Sequence, residues 1–377
     1  MNKLLYIAPI PIDFDNLDGV PKKILCQAQI LQKSFEVDII FYFKKNVFLY
    51  KVGNKKLSIL GKASSKLSVL KKATEIHFFS KYQYTYIRYP RSDYYFLKLL
   101  KHFKRKGIKI TVEIPTYPYD KEGFETIKGK IINLLDRFFR KKIYKYVDRI
   151  ITYSKDKKIF DIPTINTING IDFDKVEYDI EPIDIKHEII LIAVSGMFRV
   201  HGYERLITGL YEYYKEGGMR KIQLKLIGNG DEILKYKKLV KKYKLEKNVI
   251  FYGTRFGEEL NELYKGNAVG INSLAIHRQG LKEESTLKTK EYAAKGLPIV
   301  SSSYVDAFSE KGNIKYVMRV SPDESAININ ELVSFVDKIY EGKEVKNIRE
   351  SIRNDAKQIC DISYTMKPVI EFYLNSW

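Results

Sequence analysis

Short runs of β-branched and aromatic residues alternate with longer amphipathic stretches along the whole chain, and the alternation begins twice. A parallel sheet covered by helices requires this pattern, because its strands are buried on both faces and each crossover returns as a helix. The first series comprises Leu4–Ile7, Val37–Tyr42, Tyr84–Arg88, Lys109–Glu113 and Arg149–Tyr153. The second comprises Ile189–Val194, Gln223–Ile227, Val249–Tyr252, Val269–Asn272 and Pro298–Ser301. Between them lies an acidic, proline-containing stretch, Phe173–His187, which reads as a linker. The expected fold is therefore α/β, with two Rossmann-like doubly wound domains over residues 1–172 and 188–360. A chain of 377 residues with 45% apolar content has material for two cores. The last segment, 361–377, carries Tyr364, Val369, Ile370, Phe372, Tyr373 and Trp377 and must dock as a helix, with a return to the first domain as one option.

Two such domains facing across a cleft would bring the carboxyl ends of their strands, and hence the functional loops, to a shared site. Several classes are disfavoured at the outset. Cys26 and Cys360 are far apart and lack metal-ligand spacing, so neither a disulfide framework nor a zinc site is expected and a cytoplasmic setting fits. No run approaches the roughly 18 apolar residues of a membrane span. The formal net charge of +20 is lopsided: residues 1–170 hold 34 Lys+Arg against 15 Asp+Glu, a balance of +19, and residues 171–377 hold 32 against 31. Within the basic half, Lys101, Lys104, Arg105 and Lys106 form one cluster, and Arg137, Arg140, Lys141, Lys142 and Lys145 another. The second is interleaved with Phe138, Phe139, Ile143, Tyr144 and Tyr146, and 129–147 has apolar residues at helical spacing. This suits an anionic membrane surface, as at the inner face of a plasma membrane, better than nucleic acid, for which no recognition motif is present. Solvated helix faces are the plainer reading of the same charge.

The most specific motif is KEESTLKTKEYAAKGLPIV at 282–300, in which Glu283 and Glu291 flank seven residues. A helix is expected to start at Ser285 or Thr286, with Ser285 a good N-cap and Gly296 and Pro298 ending it. Its first amides, at Ser285, Thr286 and Leu287, would point at an anion, with Lys288 a nearby cation. Glu283 could accept hydrogen bonds from sugar hydroxyls and Glu291 from ribose hydroxyls. An ordinary capped surface helix is the alternative on spacing alone.

The Glu-seven-Glu spacing running into EYAAKGLPIV resembles the donor-site signature of the retaining family 4 glycosyltransferases, which have the GT-B fold. NGID (169–172), LIGNGDE (226–232) and NVIFYG (248–253) are similar, in order, to further segments of that family, placing Gly228, Tyr252 and Gly253 on the donor side. The resemblance covers about 169–300 in motifs and 1–168 only in architecture. It departs in SGMFRVHGYERLI (195–207): the family has Arg followed five residues later by Lys-Gly, whereas here Gly196 and His201 stand at those positions and Arg199 is a plausible substitute. Neutral His201 could still donate one hydrogen bond to phosphate, or serve structurally. Arg278, with His277, precedes the Glu motif and could face the donor or belong to a surface loop. Gly19, before a helix begun with Val20 and Pro21, could admit backbone to the donor or simply turn the chain. After strand 109–113 the family often has a His; this chain has IPTYPYDKE (114–122), an acceptor-loop candidate in which Glu113 or Thr116 could substitute.

The resemblance implies transfer of a sugar, with its anomeric configuration retained, from a nucleotide-diphosphate sugar, best a UDP-sugar, to a glycan or lipid-linked saccharide in bacterial surface polysaccharide synthesis. Neither a cofactor nor a metal is expected: the strings Asp13/Asp15 and Asp172/Asp174 fall in a loop and the linker. A nucleotide-sugar 2-epimerase of the same fold and a basic membrane- or nucleic-acid-binding module are the alternatives. A dinucleotide-dependent dehydrogenase fails, since Ile233 stands where a third glycine belongs after Gly228 and Gly230.

Overall fold

A computed structural model describes the chain except residues 16, 18, 63–64, 76–81, 120–126, 281–282 and 376–377 and the side chains of Glu75, Lys128, Glu283 and Glu284. Asp18, the 120–122 end of the acceptor-loop candidate, the Glu283 carboxylate and Trp377 thus lie outside the described residues. The chain divides into two units, residues 1–168 with 365–377, and residues 169–364.

The first unit is built on nine strands: β1 (Lys3–Pro11), β2 (Glu36–Phe43), β3 (Asn46–Lys51), β4 (Lys56–Lys62), β5 (Tyr84–Arg88), β6 (Lys109–Ile114), β7 (Arg149–Thr152), β8 (Lys158–Ile159) and β9 (Ile162–Asn166). Their order is β4-β3-β2-β1-β5-β6-β7-β9-β8. The run from β2 through β9 is parallel, and the edge pairs β2–β3, β3–β4 and β8–β9 are antiparallel. The helices are α1 (Gly19–Leu31), α2 (Lys66–Glu75), α3 (Tyr94–Arg105) and α4 (Ile127–Arg140). Leu4 to Ala8 of β1 are buried without interruption, as a central parallel strand requires. α3 shows how a crossover is specified. Asp93 caps it by accepting from the Phe96 amide at 2.8 Å, and Phe96, Leu99, Leu100 and Phe103 recur at helical spacing to bury one face.

The second unit has a six-stranded parallel sheet of β10 (Glu188–Val194), β11 (Lys221–Ile227), β12 (Val249–Gly253), β13 (Val269–Ile271), β15 (Ile299–Ser301) and β17 (Val317–Arg319), and a small pair, β14 (Glu283–Glu284) with β16 (Tyr304–Val305). The helices are α5 (Tyr203–Lys215), α6 (Ile233–Tyr243), α7 (Gly257–Tyr264), α8 (Leu287–Ala294), α9 (Glu310–Tyr316), α10 (Ile329–Tyr340) and α11 (Val345–Cys360), followed by α12 (Ile362–Leu374), whose residues from Thr365 onward belong to the first unit. The sheet order β12-β11-β10-β13-β15-β17 reverses direction between β10 and β13. Such a switch point opens a crevice at the carboxyl ends of the two strands, where doubly wound sheets take their ligands. Both units carry the parallel α/β architecture expected from the alternation.

All ten anticipated strands form; the hairpin β3–β4, the strands β8, β9 and β17 and the small pair β14–β16 were not anticipated. The hairpin is an edge with one face in water, Leu57 and Ile59 being exposed, so its alternation is diluted by lysines. Phe173–His187, expected as a linker, lies wholly within the second unit. Arg353 donates to the carbonyls of Phe173 and Val176, Arg349 to that of Asp179 at 2.7 Å, and the Asp179 carboxylate accepts from the Gly266 amide at 2.9 Å.

Residues 365–377 belong to the first unit, and the tie is Tyr373. Its ring is fully buried against Phe35 and Tyr84, with centroids 5.7 and 4.9 Å away, and its hydroxyl meets Thr111 Oγ1 at 2.6 Å and the Thr85 carbonyl at 3.0 Å. Tyr373→Ala should cost about 3–5 kcal/mol in urea unfolding. Tyr373→Phe should cost only about 1–2 kcal/mol, because it removes the hydroxyl and keeps the ring.

Candidate functional site

The crevice is shaped first by glycine. A Cβ on Gly228, at φ +123°, would stand 1.8 Å from the Ser195 carbonyl oxygen, and one on Gly230 1.9 Å from that of Gly196. The turn after β11 can therefore press directly on the loop after β10. That loop closes onto the one after β13: the Leu274 amide donates to the His201 carbonyl at 2.9 Å and the Ala275 amide to that of Val200 at 3.1 Å. Gly253 ends β12 and accepts from the Gly228 amide at 2.8 Å, with half-buried Tyr252 beside it.

His201 is buried in this loop, between the rings of Phe198 and Tyr203. The Phe198 amide donates to its Nδ1 at 2.8 Å, which assigns the proton to Nε2. Burial, reinforced by the charge of Lys288, pushes its pKa from the ordinary 6.5 down to about 2. The ring is thus a neutral donor, with Nε2–H free of any partner among the described residues. Gly196 precedes it, and Arg199 is exposed.

α8 begins at Leu287, two residues later than Ser285. Thr286 is its extended N-cap, but its side chain does not cap the helix, the hydroxyl lying near Asn272 Oδ1 and Thr289 Oγ1, at 3.5 and 3.3 Å. The Ser285 hydroxyl is committed elsewhere. It accepts from the Asn169 amide at 3.0 Å and from Lys290 at 3.1 Å, tying the NGID segment to this loop. Lys288 donates to Ser273 Oγ at 3.2 Å. The amides at the start of α8, uncapped by any side chain among the described residues, a cation and a neutral N–H donor thereby converge on one corner, a suitable environment for an anion. Further along α8, Glu291 is half-buried, and its carboxylate has no hydrogen-bond partner among the described residues. Glu283 is placed only by its backbone, in β14 paired with Tyr304 of β16.

Arg278 is not aimed at this corner. Its Nε donates to Glu324 at 2.9 Å, Nη1 to the Arg199 carbonyl at 2.7 Å, and Nη2 pairs with Glu204 at 2.8 Å as well as with Glu324. Hydrogen bonds from Arg278 and His277 hold the Glu324 carboxyl down to about 2. Arg278 is a clasp between loops. Residues that sequence reasoning missed do similar work: Arg205 donates to the carbonyls of Ser325, Leu274 and Ser321, and fully buried Lys290 pairs with Asp306. Their basic character gave no local signal of burial.

In the first unit, Gly19 opens α1 at φ +23° with open space where a Cβ would sit, and Thr116 is exposed after β6. Glu113 is fully buried. Oε1 accepts from Lys23 at 2.6 Å and from the Tyr153 hydroxyl, and Oε2 faces Arg88 at 3.5 Å without hydrogen-bond geometry. Burial alone would raise its pKa; Lys23 and Arg88 outweigh it and hold the carboxyl well below the usual range. A carboxylate so enclosed is a structural centre of charge, which removes the geometric basis for its catalytic assignment.

Residues 188–334 match the family model described as Glycosyl transferases group 1. None of the curated proteins matches the chain in sequence. Among solved structures it is similar to a glycosyltransferase from Rickettsia africae ESF-5, with TM-score 0.68 and 14% identity over 99% of this chain and 97% of that one. It is similar to a sucrose-phosphate synthase from Thermosynechococcus elongatus, with TM-score 0.67 and 15% identity over the whole of both chains. It is also similar to Anabaena HepE in complex with UDP-glucose, with TM-score 0.62 and 14% identity over the whole of both. At such identities the likeness establishes the fold, which is GT-B, and the match to the group 1 glycosyltransferase model lies within the second unit.

Two measurements check the electrostatics. The His201 ring should not titrate by NMR between about pH 5 and pH 8. Because its folded value of about 2 lies below the ordinary 6.5, the unfolded chain takes the proton first, and His201 lowers stability as pH falls through that interval. Glu113 has the opposite origin and the same direction: its ionised form stabilises the fold above the ordinary carboxylate value, and this is lost as pH falls through its depressed folded value. Glu113→Ala, which removes the buried carboxylate that faces both Lys23 and Arg88, should cost roughly 3–5 kcal/mol in denaturant unfolding.

Proposed function

We propose that the chain transfers a sugar from a nucleoside-diphosphate sugar, best a UDP-sugar, to a glycan or lipid-linked saccharide acceptor of a bacterial surface polysaccharide, with retention and without a metal ion. The observation that carries this is the corner at the switch point, where the amides opening α8, Lys288 and the Nε2–H of His201 come together within a group 1 glycosyltransferase domain. Such a set complements a diphosphate and stabilises the charge that grows on it as the glycosidic bond breaks. His201 suits the task because it donates a hydrogen bond and carries no charge that would vary with pH. Glu291, with no protein partner among the described residues, is the acceptor for ribose hydroxyls, and Glu283 the residue expected to position the sugar.

In the reaction the bond from the anomeric carbon to the diphosphate oxygen breaks while the acceptor oxygen bonds to the same face of that carbon. The acceptor proton passes to the departing phosphate, so no protein nucleophile is needed. The acceptor is proposed to be presented at an anionic inner membrane surface, in keeping with the +19 balance of residues 1–170.

Glu291→Ala should weaken UDP binding by roughly tenfold to a hundredfold in titration calorimetry. Lys288→Ala should lower kcat on the order of a hundredfold with the fold intact, and a chelator should leave turnover unchanged. Unaltered binding and turnover in both variants would remove the donor-site assignment. An inverted product would remove retention, and release of a free epimerised sugar would favour the epimerase reading.

A further inference from the structure

The first unit wears one of its helices inside out. α4 buries polar side chains, Asn133 and Asp136, and exposes apolar ones: Ile127 is 79% exposed, Ile131 54%, Leu134 70%, Leu135 46% and Phe138 60%. These five positions recur at intervals of three and four with one adjacent pair, and so form a single stripe along the helix. The inward face is locked. The Asp136 carboxylate accepts from the Tyr89 hydroxyl at 2.5 Å, the Ser92 amide at 2.6 Å and the Tyr119 hydroxyl at 2.8 Å. Rolling the stripe inward would strip a buried carboxylate of all three donors, so the helix is held with its apolar side outward.

The rim of the stripe is basic. Lys130, Arg137, Lys141, Lys142 and Lys145 surround it, with Lys142 4.4 Å from the Phe138 ring centroid and exposed Tyr144 beyond. A second copy of the same face would set these rims against each other. An anionic lipid surface neutralises them and takes the apolar side chains below its headgroups. We infer that α4 is a preformed in-plane membrane anchor, inserting Ile127, Ile131, Leu134, Leu135 and Phe138 into an anionic bilayer. This deepens, and rests on, the membrane part of the proposed function; it does not depend on the donor chemistry.

The test is co-sedimentation of the full chain with vesicles of equal parts phosphatidylglycerol and phosphatidylcholine, and with phosphatidylcholine alone. The chain should sediment with the mixed vesicles and not with the neutral ones. Leu134→Glu combined with Phe138→Glu should reduce that binding at least about tenfold, and so should serine at Lys141, Lys142 and Lys145. Both variants change exposed positions, so each should melt like the parent and keep its thermal shift with UDP. A parent chain that stays in the supernatant, or a double-Glu variant that sediments unchanged, overturns the inference. So does a dimer in sedimentation velocity that the double-Glu variant turns to monomer, since a second copy then covers the stripe. A parent chain that fails to bind the mixed vesicles yet shows the UDP shift refutes the membrane anchor alone, and a parent chain that binds them without a UDP shift refutes the donor reading alone.

Discussion

Backbone packed against backbone, closer than any Cβ allows, is the constraint from which the candidate site follows. The turn after β11 reaches the Ser195 and Gly196 carbonyls only because residues 228 and 230 are glycine, and the loop after β10 reaches Ala275 only because residue 202 is. Held on both sides, that loop brings the Phe198 amide to His201 Nδ1. One backbone hydrogen bond then decides the tautomer, and the surrounding packing decides the charge. The neutral ring is a consequence of chain geometry before it is a property of histidine.

Cations in the second unit divide by how far their donors are already used. Arg205 and Arg278 spend theirs on carbonyls and carboxylates of neighbouring loops, and Lys290 on Asp306 and Ser285. These groups build the crevice. Lys288 donates to a serine hydroxyl, and its charge is felt by His201. A guanidinium can satisfy several acceptors at fixed angles, so it suits the clasp; an ammonium beside helix amides suits a ligand anion.

The strands were legible because their signal is local: a short apolar run between turns reads the same wherever it folds. The glycine positions and the Glu-seven-Glu frame were legible for a related reason, as spacing within one segment. What stayed hidden depends on partners distant in the chain. Ser285 reads as a cap by type and neighbours, yet its hydroxyl goes to Asn169, and the helix starts after Thr286 instead. Glu113 lies at the end of a strand where a substrate group is plausible, and only the arrival of Lys23 and Arg88 from other elements encloses it. The β3–β4 hairpin was hidden for an opposite reason, its weak one-sided alternation being typical of a sheet edge.

The orientation of α4 shows the limit most sharply. Amphipathic spacing states that a helix has two faces, and the hydrophobic effect alone would turn the apolar one inward. The buried polar group opposes this preference. Asp136, taken from water, needs its three donors from Tyr89, Ser92 and Tyr119, and those donors sit on fixed parts of the first unit. Stranding the carboxylate would forfeit roughly 3–5 kcal/mol, which offsets part of the about 1.5–3 kcal/mol that each exposed Leu or Ile forfeits. The balance is closer than either figure alone, and a second polar residue, Asn133, joined to Arg91, adds to the inward side. The same chain that encloses Glu113 at the end of the interior strand β6 thus uses another buried carboxylate to keep an apolar surface turned outward.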